Sequence, residues 1–82
     1  MNNENLLNRI VVDQKIMVGK PTIKGTRLAV EHIFDLMVAG MSTEEILQEH
    51  TQLTKEDLLA CILFAREMIA DITYVPQPSA RQ

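Results

Sequence analysis

Two periods organise the apolar and polar positions along the chain. Ile10-Val11-Val12 and Ile16-Met17-Val18 are short apolar runs separated by Asp13-Gln14-Lys15, which predicts a small hairpin. Gly19-Lys20-Pro21 and Lys24-Gly25-Thr26 punctuate the next stretch, so Thr22-Ile23 reads as a brief extended segment between turns. Pro21 lacks an N–H and suits an edge or a loop. From Val30 the period lengthens to 3.6: Val30, Ile33, Phe34, Met37 and Val38 fall on one helical face that Gly40 can terminate. Ser42 stands three residues before Glu45, the pattern of a reciprocal N-terminal cap, with Ile46 and Leu47 turned inward. Thr54 caps a third helix from about Lys55 to Ile72, with Glu56 and Asp57 in the first turn, where the helix dipole favours negative charge.

The fold class expected is mainly α: a homeodomain-like three-helix core containing a helix-turn-helix, preceded by a short β-hairpin or small β segments. Residues 1–8 read as a polar arm with a helical turn around Leu6 and Leu7. Residues 9–72 read as one domain, divided into β segments with a basic loop (9–29) and three helices (30–72). Residues 73–82, interrupted by Pro76 and Pro78, read as a flexible tail.

The third helix is apolar on too many sides for two short neighbours to cover. Leu58, Cys61, Ile62, Ala65, Met68, Ile69 and Ile72 share one stripe at 100° per residue, and this stripe is assigned to the core. Leu59, Leu63 and Ala70 form a second sector, and Phe64 with Ala60 a third. Leu59, Leu63, Phe64 and Ala70 are therefore candidates for a homodimer or partner interface; coverage by the N-terminal hairpin is the competing explanation.

Composition and charge narrow the function classes. Eighty-two residues make one domain. The longest apolar run, Leu58 to Ala65, is far short of a membrane span, and no charged-then-apolar leader opens the chain. A single cysteine, Cys61, agrees with a reducing compartment. A cytoplasmic protein is expected. The net charge of -3 conceals a split: residues 1–30 carry five cations and two acids, residues 31–82 three cations and nine acids. A basic first third permits a local contact with an anion or nucleic acid.

Lys20, Lys24 and Arg27 stand in or near one loop with Gly19, Gly25 and Thr26. Exposed N–H groups and cations there could hold a phosphate or a nucleic-acid backbone. Equally, the loop could be a solvated turn in which Gly25 supplies a positive φ and Arg27 pairs with an acid such as Glu31. The Gly-x-x-x-x-Gly-Lys-Ser/Thr order of nucleotide-hydrolase loops is absent. His32, His50 and Cys61 lack metal-ligand spacing, so no metal is expected. Cys61 reads as a small buried hydrophobe. The acids Glu44, Glu45, Glu49, Glu56 and Asp57 read as helix-start and surface charge. No catalytic constellation and no cofactor are implied. The third helix begins Lys55-Glu56-Asp57 and later offers Glu67 and Asp71, which makes it a poor reader of DNA.

The block Gly19-Lys20-Pro21-x-Ile23-x-Gly25-Thr26-Arg27-x-x-Val30 resembles the domain of unknown function 433 family, small prokaryotic proteins also described as antitoxins of the VapB type. Ala39-Gly40-Met41-Ser42 before Glu45-Ile46, then Leu53-Thr54-x-Glu56-Asp57-Leu58, extend the likeness over about Arg9 to Ile72. Ala29 stands where the family often has proline, and His50-Thr51 replaces a frequent Tyr-Pro pair. The resemblance implies a homeodomain-like domain with short β-strands and a PIN-like toxin nuclease as the protein partner. It also implies dimerisation and repression of the chain's own promoter through operator DNA. The function expected is that of an antitoxin-like, non-enzymatic protein, with Lys20, Lys24, Thr26 and Arg27 on phosphates and Lys55 subsidiary. The alternative is an interaction or assembly module that binds no nucleic acid.

Overall fold

The structure, a computed structural model, describes residues 3–72. Helix α1 (Asn3–Leu7) leads into strand β1 (Ile10–Val11), a ten-residue loop and strand β2 (Thr22–Ile23). Helices α2 (Val30–Val38), α3 (Thr43–Glu49) and α4 (Lys55–Ala70) follow. The molecule is mainly α with one two-stranded antiparallel sheet, in which Ile10 faces Ile23 and Val11 faces Thr22. The expected tail lies outside the described residues.

The second strand is not the one the apolar runs suggested. Ile16-Met17-Val18 was the expected partner of β1, but Thr22-Ile23 takes that place. The cause is local. Asp13 turns the chain at once, accepting the Lys15 N–H on its side chain at 2.9 Å and the Ile16 N–H on its carbonyl at 2.8 Å. Met17, Val18 and Gly19 then all take positive φ, closing a left-handed turn that no strand can contain. Gly19, at φ +79°, suits that turn, because glycine takes the left-handed region without the steric cost of a Cβ. Chain direction is recovered only at Pro21, whose carbonyl accepts the Val30 N–H.

β2 is the more buried strand. Thr22 and Ile23 are inaccessible to solvent, and the Thr22 hydroxyl donates to the Val11 carbonyl at 3.4 Å. Ile23 enters the core beside Val30 and Ile33 of α2, Ile46 of α3, Leu53, and Leu58 and Cys61 of α4. Ile10, Leu28, Phe34, Met41 and Phe64 pack around this set.

The helix boundaries follow local chemistry. α2 ends at Gly40 (φ +99°), where the Met41 N–H reaches the Leu36 carbonyl and the Gly40 N–H the Met37 carbonyl, a Schellman closure. α3 opens on a complete capping box: the Ser42 hydroxyl accepts from the Glu45 N–H and the Glu45 carboxylate from the Ser42 N–H. Thr54 and Asp57 repeat the device at α4, with the Thr54 N–H donating to Asp57 at 2.9 Å. His50 to Thr54 form the turn of the helix-turn-helix.

Two expectations about α4 need correction. Asp57, read as surface charge, is buried; its second carboxylate oxygen accepts from the Arg9 guanidinium at 3.0 Å. The core stripe is also rotated by roughly a quarter turn. Asp57, Ala60, Cys61 and Phe64 face inward with Leu58, while Ile62, Met68, Ile69 and Ile72, assigned to the core, are exposed. The reason is α1, which packs against α4 and leaves the opposite side uncovered.

Asp57 thus caps a helix and anchors the N-terminal segment at once. Asp57→Ala should lower the unfolding free energy by about 2 kcal/mol, the sum expected for a lost cap and a lost charge-assisted hydrogen bond. Urea denaturation followed by circular dichroism measures it. Arg9→Met should cost less than Asp57→Ala, because it leaves the capping box in place.

Candidate functional site

The cations of the first third meet different fates. Arg9 is bound to Asp57, as above. Lys20 donates to the Glu31 carboxylate at 2.9 Å, in the first turn of α2. That hydrogen bond, reinforced by the charge attraction, raises the Lys20 pKa and lowers that of Glu31. The partner of Glu31 is therefore Lys20, not Arg27. Lys24 and Arg27 are exposed and make no ion pair among the described residues.

Thr26 builds the turn that carries them. Its hydroxyl donates to the Ile23 carbonyl at 2.7 Å and accepts from the Leu28 N–H at 3.0 Å. The Ile23 N–H meets the Leu28 carbonyl and the Thr26 N–H the Ile23 carbonyl. With Gly25 at φ +81°, these hydrogen bonds close residues 23–28 into a tight loop. The Lys24 N–H donates to the Arg9 carbonyl at 2.7 Å, which fixes the loop to the end of α1. Thr26 acts here as a scaffold, its hydroxyl already committed in both directions. Lys24 and Arg27 project from a hydrogen-bonded backbone frame, so meeting an anion orders their side chains but not the loop that carries them.

Lys55 is exposed in the first turn of α4, beside Glu56 and the buried Asp57. The four candidate interface residues separate. Leu59 is 43% exposed and Ala70 exposed, whereas Leu63 is partly buried and Phe64 packs against the core cluster.

His32 and His50, eighteen positions apart, meet edge to face with ring centroids 5.9 Å apart. Pairwise spacing gave no hint of it, since the contact is made by the return of α3 along α2. Among the described residues no group of three or more His, Cys, Asp or Glu side chains is placed to hold a metal. Sequence reasoning also missed the left-handed turn at Met17-Val18, where Val18 is 88% exposed. The Asp13-x-Lys15 turn before it was the available signal.

The comparisons with known proteins address this same region. The family described as protein of unknown function DUF433 matches residues 10–65, from β1 into the second half of α4. The chain belongs to the DUF433 family. An uncharacterized protein of Archaeoglobus fulgidus is 64% identical over 25 residues, a match spanning 30% of this chain and 69% of the relative. No solved structure matches. For this DUF433 protein, the family's matched span covers the β2–α2 turn, α3 and α4 as far as Ala65. No helix among the described residues is long and apolar enough to cross a membrane.

Cys61 is shielded from chemistry. It is wholly buried, and desolvation, with a smaller contribution from the Asp57 charge, pushes its thiol up to about 11. It should resist thiol reagents in the native state and react only on unfolding, which a disulfide-exchange assay with and without urea would read. The unfolded thiol titrates near 9.0 while the folded one stays protonated, so folding stability should fall as pH rises through that window. The slope is about 1.4 kcal/mol per pH unit between these two values; Cys61→Ala should remove it.

Proposed function

We propose that this protein is an antitoxin-like binding protein that neutralises a PIN-like ribonuclease and contacts DNA phosphates through the β2–α2 turn. The observation that carries the reading is the turn itself: two cations free of intramolecular ion pairs, held on a hydrogen-bonded frame within the family's matched span. Lys24 and Arg27 supply the phosphate contacts. Lys20 contributes when Glu31 releases it, Lys55 from the start of α4, and Thr26 by holding the loop. No step of catalysis is assigned to any residue, and no cofactor or metal takes part.

The outward face of α4 does not read bases in this scheme. Its early acids repel phosphates, and its later positions combine exposed apolar side chains with the acids Glu67 and Asp71. Binding is therefore mainly to the backbone, with modest sequence discrimination. That same surface favours a second reading, an interaction module that binds protein and no nucleic acid.

Two measurements test the proposal. Affinity capture of the tagged protein from its host should recover a PIN-like protein in stoichiometric amount, with its nuclease activity silenced in the complex. Recovery of the chain alone, while neighbouring genes are expressed, would favour the interaction module. In DNA titrations across salt concentrations, Lys24→Ala and Arg27→Ala should each weaken binding to every sequence and flatten the salt slope by about one. Unchanged affinity and slope would remove the turn from the DNA contact.

A further inference from the structure

The two histidines of the chain meet where α2 passes the end of α3. His32 sits in the first turn of α2, and His50 closes α3. The backbone fixes both positions. The His32 N–H donates to the Ala29 carbonyl at 3.1 Å, the His50 N–H donates to the Ile46 carbonyl at 2.9 Å, and the His50 carbonyl accepts from the Leu53 N–H at 3.0 Å. The ring centres stand 5.9 Å apart with the planes at 83°. His32 is exposed and His50 half-buried, so the pair is reached from solvent. Among the described residues neither imidazole makes a side-chain hydrogen bond or an ion pair. Two neighbouring rings therefore have ring nitrogens that no protein group occupies.

We propose that His32 and His50 together chelate a divalent transition cation of the nickel, copper and zinc group, with water in the remaining positions. Neutral imidazole suits these ions, whereas Mg²⁺ and Ca²⁺ take oxygen ligands. An ion held about 2.0–2.1 Å from one nitrogen of each ring puts the ring centres roughly 5 Å apart in a tetrahedral site. Rotation of the exposed His32 ring about its second side-chain torsion, which is broad in histidine, closes the difference from the observed separation. Spacing along the chain concealed the pair, because its members belong to separate elements. Among the described residues no set of three His, Cys, Asp or Glu side chains completes a closed centre, so the site is an open one with two protein ligands. Cys61, wholly buried, does not compete for the ion. A bound ion ties α2 to the start of the helix-turn-helix turn. The unfolded chain does not hold the two rings together, so binding stabilises the fold.

The site stands apart from the toxin and the DNA, and its test uses neither. The full chain, free of any affinity tag and in a buffer that binds no metal, is titrated calorimetrically with Ni²⁺ and with Zn²⁺. One ion per chain should bind. At about a tenfold excess of free ion over the dissociation constant, the melting temperature should rise by roughly 5 °C or more. His32→Gln and His50→Gln should each weaken binding by about tenfold or more and abolish that rise, because each leaves a single imidazole. Both variants should match the wild type in circular dichroism and melting temperature when EDTA is present. A Zn²⁺ titration of the wild type followed by proton NMR gives a readout that no variant's folding can affect: the ring-proton signals of both histidines should shift in step. Absence of saturable binding, full affinity in either single variant, movement of one imidazole alone, or saturation at one ion per two chains would overturn the proposal.

Discussion

The Asp57 carboxylate joins the two parts of the chain that differ most in composition. One oxygen accepts the Thr54 N–H that opens α4; the other accepts the guanidinium of Arg9, forty-eight residues away and immediately before β1. With Arg9 held, β1 is delivered to the side of α4, and β2 can add to β1 only in the register that sends Ile23 into the core. The Lys24 N–H then closes the circuit on the Arg9 carbonyl. A carboxylate this buried costs desolvation energy, and it is retained because two strong donors meet it from different elements. The β2–α2 turn owes its fixed position to that arrangement.

The charge split acquires a structural meaning from the same geometry. Both ion pairs that bridge distant segments, Arg9–Asp57 and Lys20–Glu31, run from the basic first third to the acidic remainder. Opposite charge along the sequence draws the N-terminal segment onto the helices. Two of five cations are used inside the fold in this way. What is left for an external anion is narrower than composition suggested: Lys24 and Arg27 on the turn, with Lys15 nearby in sequence.

Features set by near neighbours were legible in the sequence. The capping boxes at Ser42 and Thr54 and the stop at Gly40 involve residues within a few positions of each other, so their signatures are local. The three helices emerged where periodicity placed them. Features set by distant contacts were not legible. The partner of β1 depended on how Asp13 and Gly19 turn the intervening loop, which shifted the pairing from Ile16–Val18 to Thr22–Ile23. Asp57 looked like any first-turn acid, because its second donor comes from the other end of the domain. Within the candidate site, the cations could be listed, but only three dimensions show that Lys20 is engaged and Thr26 is framework.

The orientation of α4 shows where pattern alone fails in principle. A helix with apolar residues on three sectors has several stripes of similar strength, and periodicity cannot say which one the core takes. Covering elements decide. α1 and β1 pack on one side, so Ala60 and Phe64 turn inward, and the stronger 3.5-residue stripe is displaced toward solvent. That displacement also allocates functions across the molecule. An α4 lined outward by Ile62, Met68 and Ile69 is chemically unsuited to a groove walled by phosphates. The cations lie elsewhere, on the frame of the β2–α2 turn. Exposed apolar surface and unpaired cations are thereby carried by separate elements, so a change of chemistry on α4 can leave the frame of the turn untouched.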